Sequence, residues 1–341
     1  MITYFPHIYP DELFYSLLAR YYIKSGQLAY IFAAEEFFDK STSKPNIEFI
    51  TPLSKDFLEF ITDALPLKTI IEKHTMFPFY VRFLELEKRK SAYKAILNMQ
   101  KDYYKLLCVP KDKNGTIRYL RYCPLCVKED RENYGETYWH RIHQIMGINI
   151  CPKHCCYLEN SNLLISSIGS PSLIAAEETI SENSTVMLCK NILEINIVNY
   201  INSVFNLELD FKSKVNIGDF LHTKMENTKY LSLRGKQRNM ELLCNDFNNY
   251  YKDINFSLEL WQLQKIFNNN RHKPYEILLL AYFLNIPIEE LEKLKLPKTA
   301  QYQNFDSRII EMHNKGLNYA KIAKILGASY DVVKAIGEGR Y

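Results

Sequence analysis

Two short knuckles constrain this chain more than anything else in it: Cys123-Pro-Leu-Cys126 and, after 24 intervening residues, Cys151-Pro-Lys-His154. Two donors separated by two residues can be turned onto one ion by a tight backbone bend, and Pro124 and Pro152 stiffen both bends at the same relative position. Three thiols and an imidazole in two close pairs are the donor chemistry of tetrahedral zinc. Four protein donors leave no open coordination position, so the spacing predicts one structural Zn2+ that folds a segment with little apolar surface of its own. Cys155 and Cys156 directly follow His154, and His140 and His143 lie three apart in ETYWHRIHQ, which reads as a helix. Cys155, His140 and His143 therefore stand as alternative donors, with the two histidines expected at the surface or beside the site. No H-E-x-x-H and no H-x-E followed by P-C-x-x-C occurs, which speaks against a catalytic zinc.

Eight cysteines in 341 residues are too dilute for a disulfide scaffold, and five of them fall between residues 123 and 156, as metal binding requires. With 47% hydrophobic and 24% charged residues the chain can bury a sizeable core, and its length suits two or three domains. Few glycines and many Leu, Ile, Lys and Glu favour helix over sheet, so the expected class is a mostly α, multi-domain protein around a central Cys3His zinc knuckle. No run approaches the roughly 18 to 20 apolar residues that cross a bilayer, and the opening MITYFPHIYPDE lacks a basic start followed by an apolar stretch. A cytoplasmic chain without a membrane partner is expected.

The first third reads as packed helices. Pro10, Asp11 and Glu12 suit a helix N-terminus, Leu13, Leu17, Leu18 and Tyr21 follow at helical spacing, and similar patterns recur over 27–39, 53–64, 66–73, 79–87 and 88–107. The expected organisation is an N-terminal helical domain over 1–118, the zinc-binding module over 119–158, a connecting segment over 159–211, a second helical domain over 212–297 and a helix-turn-helix-like module over 298–341.

The net charge, 43 basic minus 39 acidic residues, is only +4, so the distribution of charge must carry any nucleic-acid argument. In the last module Ile322 and Leu326 face a core, Ala323 is small where two helices cross, Gly327 permits a turn and Ser329 can cap the next helix. Tyr330, Asp331, Val332 and Lys334 would then face outward on a reading helix, with Lys321 and Lys324 near phosphates. A three-helix packing unit without DNA contact fits the same apolar pattern. Further positive charge lies at Lys224, Lys229, Arg234, Lys236, Arg238, Arg271 and Lys273, and Arg118, Arg121, Arg141 and Lys153 flank the knuckles; such charges displace counterions from phosphates. A solvated helix face is the competing reading of each. Neither a G-x-x-x-x-G-K-[ST] loop nor a G-x-S-x-G elbow is present, so ATP hydrolysis and nucleophilic catalysis are not expected.

Residues 121–157, RYCPLCVKEDRENYGETYWHRIHQIMGINICPKHCCY, resemble the zinc region of the TniQ/TnsD family of transposition target selectors. The opening FPHIYPDELFYSLLARYY resembles that family's N-terminal motif, HTMFPFYVRFL its second, and RHKPYEILLLAYFL is similar to the helix that follows in TnsD-type members. The resemblance covers most of residues 4–157 well and 212–341 loosely. It implies a non-enzymatic, nucleoid-associated bacterial subunit that binds double-stranded target DNA and recruits an AAA+ ATPase, which directs other transposase subunits. It carries the zinc ligands onto Cys123, Cys126, Cys151 and His154; where the family often has Gly after the last ligand, this chain has Cys155. By the same analogy the ATPase is expected to meet Tyr9, Asp11, Glu12 and Tyr15, on an N-terminal helix read as exposed. An adaptor for an RNA-guided (CRISPR-associated) transposition complex and a zinc-containing transcriptional regulator use the same parts, and a zinc-dependent nucleic-acid enzyme is a rival from another class.

Overall fold

The computed structural model describes residues 5–101, 103–107, 109, 118–165, 170–181, 185–226, 228–232, 237–268, 273–296, 305–326 and 328–340. Among them lie seventeen α-helices and one two-stranded sheet, and none of those helices is long and apolar enough to cross a membrane. The chain forms two compact units. The first comprises Met1–Lys214, Lys273–Leu279 and Leu291–Lys293, and the second Val215–His272, Leu280–Glu290 and Leu294–Tyr341.

In the first unit the opening helix runs Phe14–Lys24 and starts later than the Pro10-Asp11-Glu12 signal suggests. Those three residues are used for a turn instead: Asp11 adopts φ +54°, the Glu12 amide donates to the Tyr9 carbonyl, and Glu12 bridges to His140 so that residues 11–13 lie beside 139–141. The pairing is antiparallel, with Leu13 N donating to Trp139 O at 2.9 Å and Arg141 N to Asp11 O at 2.7 Å. The backbone groups of ETYWHRIHQ are thereby taken by a neighbouring chain segment, and the expected helix there shrinks to a single turn, Ile142–Gln144.

The next helices, Tyr30–Phe38, Lys55–Ala64 and Leu67–Lys73, follow the expected spans closely. Ser54 stops and starts two of them at once, its hydroxyl donating to Glu36 O and accepting from Phe57 N. Pro78 near the start of Phe77–Val81 and a break before Leu86–Leu97 divide the residues expected as one helix over 79–87. Phe37, Phe57, Phe77, Leu13, Leu17 and Trp139 fill the core, and the Trp139 indole donates to Ile174 O at 3.0 Å, which satisfies its one donor.

Beyond residue 158 the chain is more than a connection. Glu159–Leu164 pairs antiparallel with Tyr119–Tyr122, bringing Tyr122 opposite Glu159 and Tyr119 opposite Leu164 with an irregularity between. Asn191 caps a helix, Ile192–Asn206, whose Ile197, Val198, Ile201, Val204 and Phe205 are buried. That apolar spacing is helical, and the Ser- and Asn-rich stretch before it hid the signal.

In the second unit Asn216 and Asn239 cap Ile217–Lys224 and Met240–Tyr250, and a reciprocal Glu259/Gln262 pair caps Leu260–Phe267. Phe247 meets Tyr251, Phe256 and Phe283 within 6.2 Å, an aromatic core. Three terminal helices, Phe305–Asn314, Tyr319–Leu326 and Tyr330–Gly337, pack around Ile309, Ile322, Ala323, Val333 and Ile336. Asn318 caps the middle one by accepting from Lys321 N at 2.8 Å. Gly327, expected at the turn, lies outside the described residues.

Gly147 is the position least able to accept a side chain in the first unit. Its φ is +99°, and an added Cβ would stand 2.5 Å from the Tyr275 ring. Gly147→Ala should cost about 2–4 kcal/mol from combined strain and overpacking, whereas Gly26→Ala, also at positive φ but in open space, should cost about 1 kcal/mol. Urea unfolding of the two variants beside the parent measures the difference.

Candidate metal centre

Each knuckle has a local reason to bend. Cys123 precedes the Pro124–Tyr134 helix as its N-cap, its sulfur accepts from Cys126 N at 3.3 Å, and Pro124 opens the helix where a missing N–H costs nothing. The helix N-terminus favours negative sulfur there. The second knuckle is the tip of a hairpin. Ile150 pairs with Tyr157, Cys151 N donates to Cys156 O, Cys155 N donates to Cys151 O, and the chain turns at Cys155 with φ +52°. A third segment covers it: Tyr157 N donates to Met187 O and Cys189 N to Cys155 O, both at 2.8 Å.

These two bends bring Cys123, Cys126, Cys151 and His154 together, all four donor atoms lying within 4.8 Å of one another. His154 Nδ1 is 3.4 Å from the sulfurs of Cys123 and Cys126 and 3.8 Å from that of Cys151, and Cys126 and Cys151 are 3.7 Å apart. A tetrahedron with zinc bond lengths of about 2.3 Å to sulfur and 2.0 Å to nitrogen has edges of about 3.8 and 3.5 Å. These four distances match those edges.

The surroundings complete the fit. His154 Nε2 lies 3.0 Å from Glu129 Oε1, so the carboxylate accepts that N–H and turns Nδ1, as a lone pair, toward the sulfurs. Lys153 also pairs with Glu129. The thiols themselves are in conflict without a cation: hydrogen bonds from Cys123 and Cys126 drive Cys151 far down, while hydrogen bonding with Cys123 and Cys151, together with burial, pushes Cys126 far up. Three sulfurs this close can all ionise only around a positive ion, and a divalent soft-tolerant cation supplies that charge.

The alternative donors fall elsewhere. His140 Nε2 lies 2.8 Å from Asp130 Oδ2, its ring stacked 4.2 Å from Tyr138. His143 is buried, not superficial, with Nε2 3.7 Å from the Cys126 sulfur, and burial holds its pKa down as a neutral imidazole. Cys155 is half-buried and stands outside the group of four. One neighbour went unread in the sequence, Glu129, which gave no signal beyond its place in the first knuckle's helix; Cys156, noted there only as following His154, is buried with its sulfur 3.1 Å from that of Cys123.

Three arginines expected at phosphates have partners within the unit, Arg141 buried and Arg118 and Arg121 half-buried. Arg141, 1% exposed, donates to Asp11 Oδ1, Glu72 O and Asn206 Oδ1 and lies 4.1 Å over the Phe205 ring. Arg121 donates to the carbonyls of Ile145 and Ile148, and burial pulls it down to about 10. Arg118 forms a two-pronged pair with Glu48, both contacts 2.9 Å. The expected partner-facing residues are corrected in the same way. Glu12 is fully buried and holds Arg20 at 2.8 Å, Tyr15 is buried and donates to Ser170 and Ser172, Tyr9 lies beneath the Arg20 guanidinium at 3.7 Å, and Asp11 is taken by Arg141. The amphipathic face that reads as exposed in sequence packs against the segment between the two knuckles, because Glu12 and Arg20 neutralise each other inside.

In the second unit Lys229 pairs with Asp246, Arg238 lies 4.8 Å over the Phe267 ring, and Lys321, Tyr330 and Asp331 are exposed with Lys334 half-buried. Lys273, in the first unit, is exposed. Arg234, Lys236 and Arg271 lie outside the described residues.

The TniQ family model matches residues 3–158, which contain both knuckles. The transposon Tn7 transposition protein TnsD of Escherichia coli is 27% identical over 156 residues, covering 44% of this chain and 30% of that protein. The match thus spans less than a third of that relative's length.

Purified chain should carry one zinc per molecule. Glu129→Gln should weaken zinc about 10- to 100-fold in chelator competition while leaving the four donors in place, and Cys151→Ala should abolish binding and lower the first melting transition. A second expectation concerns pH. Burial, opposed by Arg20, lifts the Glu12 carboxyl from 4.5 to about 7. Its folded value lies above its unfolded one, so its contribution to stability is greatest below pH 4.5 and is lost as pH rises toward 7. Glu12→Gln should remove that slope in urea midpoints taken across the interval.

Proposed function

We propose that this chain, whose residues 3–158 form a TniQ domain, is a non-catalytic DNA-binding adaptor that selects target sites for transposition and recruits an AAA+ ATPase to them. The observation that carries the reading is the union of that domain with a metal centre of four protein donors: the centre has no place for a reacting water and acts as scaffold. The name of its relative, a transposition protein, supports the same process for this chain.

Direct DNA contact is assigned to the three terminal helices as a helix-turn-helix. Their shared core, the capped Tyr319–Leu326 helix and the solvent-facing Tyr330, Asp331, Lys321 and Lys324 support Tyr330–Gly337 as the helix that enters the major groove. Lys229, Arg238 and Lys273 serve as phosphate contacts, with Lys229 drawn from Asp246 when a phosphate competes. Recruitment of the ATPase is reassigned from Tyr9, Asp11, Glu12 and Tyr15, which are engaged within the unit, to an exposed apolar group, Ile23, Leu28, Ile31 and Phe32, with Leu28 96% exposed.

Affinity for a target duplex enriched from a random pool, compared with an arbitrary duplex of equal length over a salt series and without guide RNA, tests the DNA assignment. Specific binding is expected, with Lys321→Ala plus Lys324→Ala lowering the salt slope by about 2 and Tyr330→Ala eroding preference between sequences. Sequence-blind binding throughout would instead favour an RNA-guided complex. Leu28→Asp with Phe32→Asp should spare DNA affinity and abolish pull-down of the cognate ATPase.

A further inference from the structure

On the first unit, far along the sequence from both knuckles, the Leu86–Leu97 helix presents Lys90, Tyr93, Lys94 and Leu97 along one stripe, spaced i, i+3, i+4 and i+7. Phe211 closes the other side, its ring 4.7 Å from that of Tyr93. Together with Asn98 these residues line a groove of about 390 Å3, within the range of ordinary ligand sites. Its floor is hydrocarbon. The Tyr93 hydroxyl is turned back onto Glu72 Oε1 at 3.4 Å, and Leu97 keeps 38% of its surface in solvent.

The rim has the opposite character. Lys94 and Lys90 are exposed, with Lys90 standing 3.7 Å from Glu87, while Lys88, two residues before Lys90, is 3.1 Å from Glu85. A floor without donors or acceptors gives a sugar or phosphate nothing to bond, while two ammonium groups one turn apart suit carboxylates held at the same spacing. We infer that this groove docks an acidic amphipathic helix of a partner protein, which seats a bulky apolar side chain between Tyr93, Leu97 and Phe211 and sets carboxylates against Lys90 and Lys94. The inference concerns residues other than those assigned to DNA contact and to the apolar group at Leu28.

The probe is a fluorescein-labelled helical peptide with two adjacent leucines and glutamates one turn to either side, titrated into full-length protein by anisotropy. Saturable binding is expected, weakened about tenfold by Leu97→Asp and by Lys90→Gln with Lys94→Gln, and lost when the peptide's leucines become alanine. Leu97 and both lysines are exposed, so unchanged melting temperatures should accompany these losses. Phe211→Ala should act like Leu97→Asp. Absence of saturation, or binding indifferent to all of these changes, overturns the proposal. So does displacement of the peptide by duplex DNA whose own binding needs the lysines but not Leu97 or Phe211, since the surface would then be a nucleic-acid track.

Discussion

Three thiols and one imidazole gathered into a space of less than 5 Å make sense only around a cation, and much of the first unit is arranged to gather them. A helix start supplies one pair and a hairpin tip the other. The hairpin is clasped by residues 187–189, and the chain on either side of the two knuckles is closed by pairing of Tyr119–Tyr122 with Glu159–Leu164. Burial and mutual repulsion set the sulfurs against one another, a conflict that a cation held by all four donors would resolve.

The same unit shows how charge can be mistaken for function when only sequence is in view. Arg118, Arg121, Arg141 and Arg20 are basic residues in the segment matched by the TniQ family model, and each is engaged internally by carboxylates, carbonyls or aromatic rings. Arginine suits this work because its fork can serve several acceptors at once and its plane can lie on a ring. Such residues fasten segments distant in sequence: Arg141 alone ties residue 11, residue 72 and residue 206 to the loop before the second knuckle.

The metal donors were legible because their chemistry fixes spacing: two residues between the members of each pair, with proline in the same place both times. Most early helices were legible from apolar period and breakers. The pairing of residues 11–13 with 139–141 was not, since a helical period in the first segment and another in ETYWHRIHQ each point to self-contained helices, and only the long-range contact between them removes that option. The burial of Glu12 was hidden for a related reason: an acidic residue near a helix start reads as solvated until its arginine, eight positions on, turns inward with it. Glu129 was silent because a carboxylate that orients a ligand needs no fixed spacing from it.

The strap at residues 187–189 has a consequence for how this molecule opens. Its backbone bonds end on Cys155 and Tyr157, and two residues later Asn191 begins a helix whose last residue, Asn206, holds the Arg141 guanidinium. Second knuckle, strap, helix and arginine are thus links in one cooperative block, so amide protons spread over some ninety residues of sequence, at 118–122, 155–164 and 187–206, should share a common opening free energy and exchange with solvent in concert.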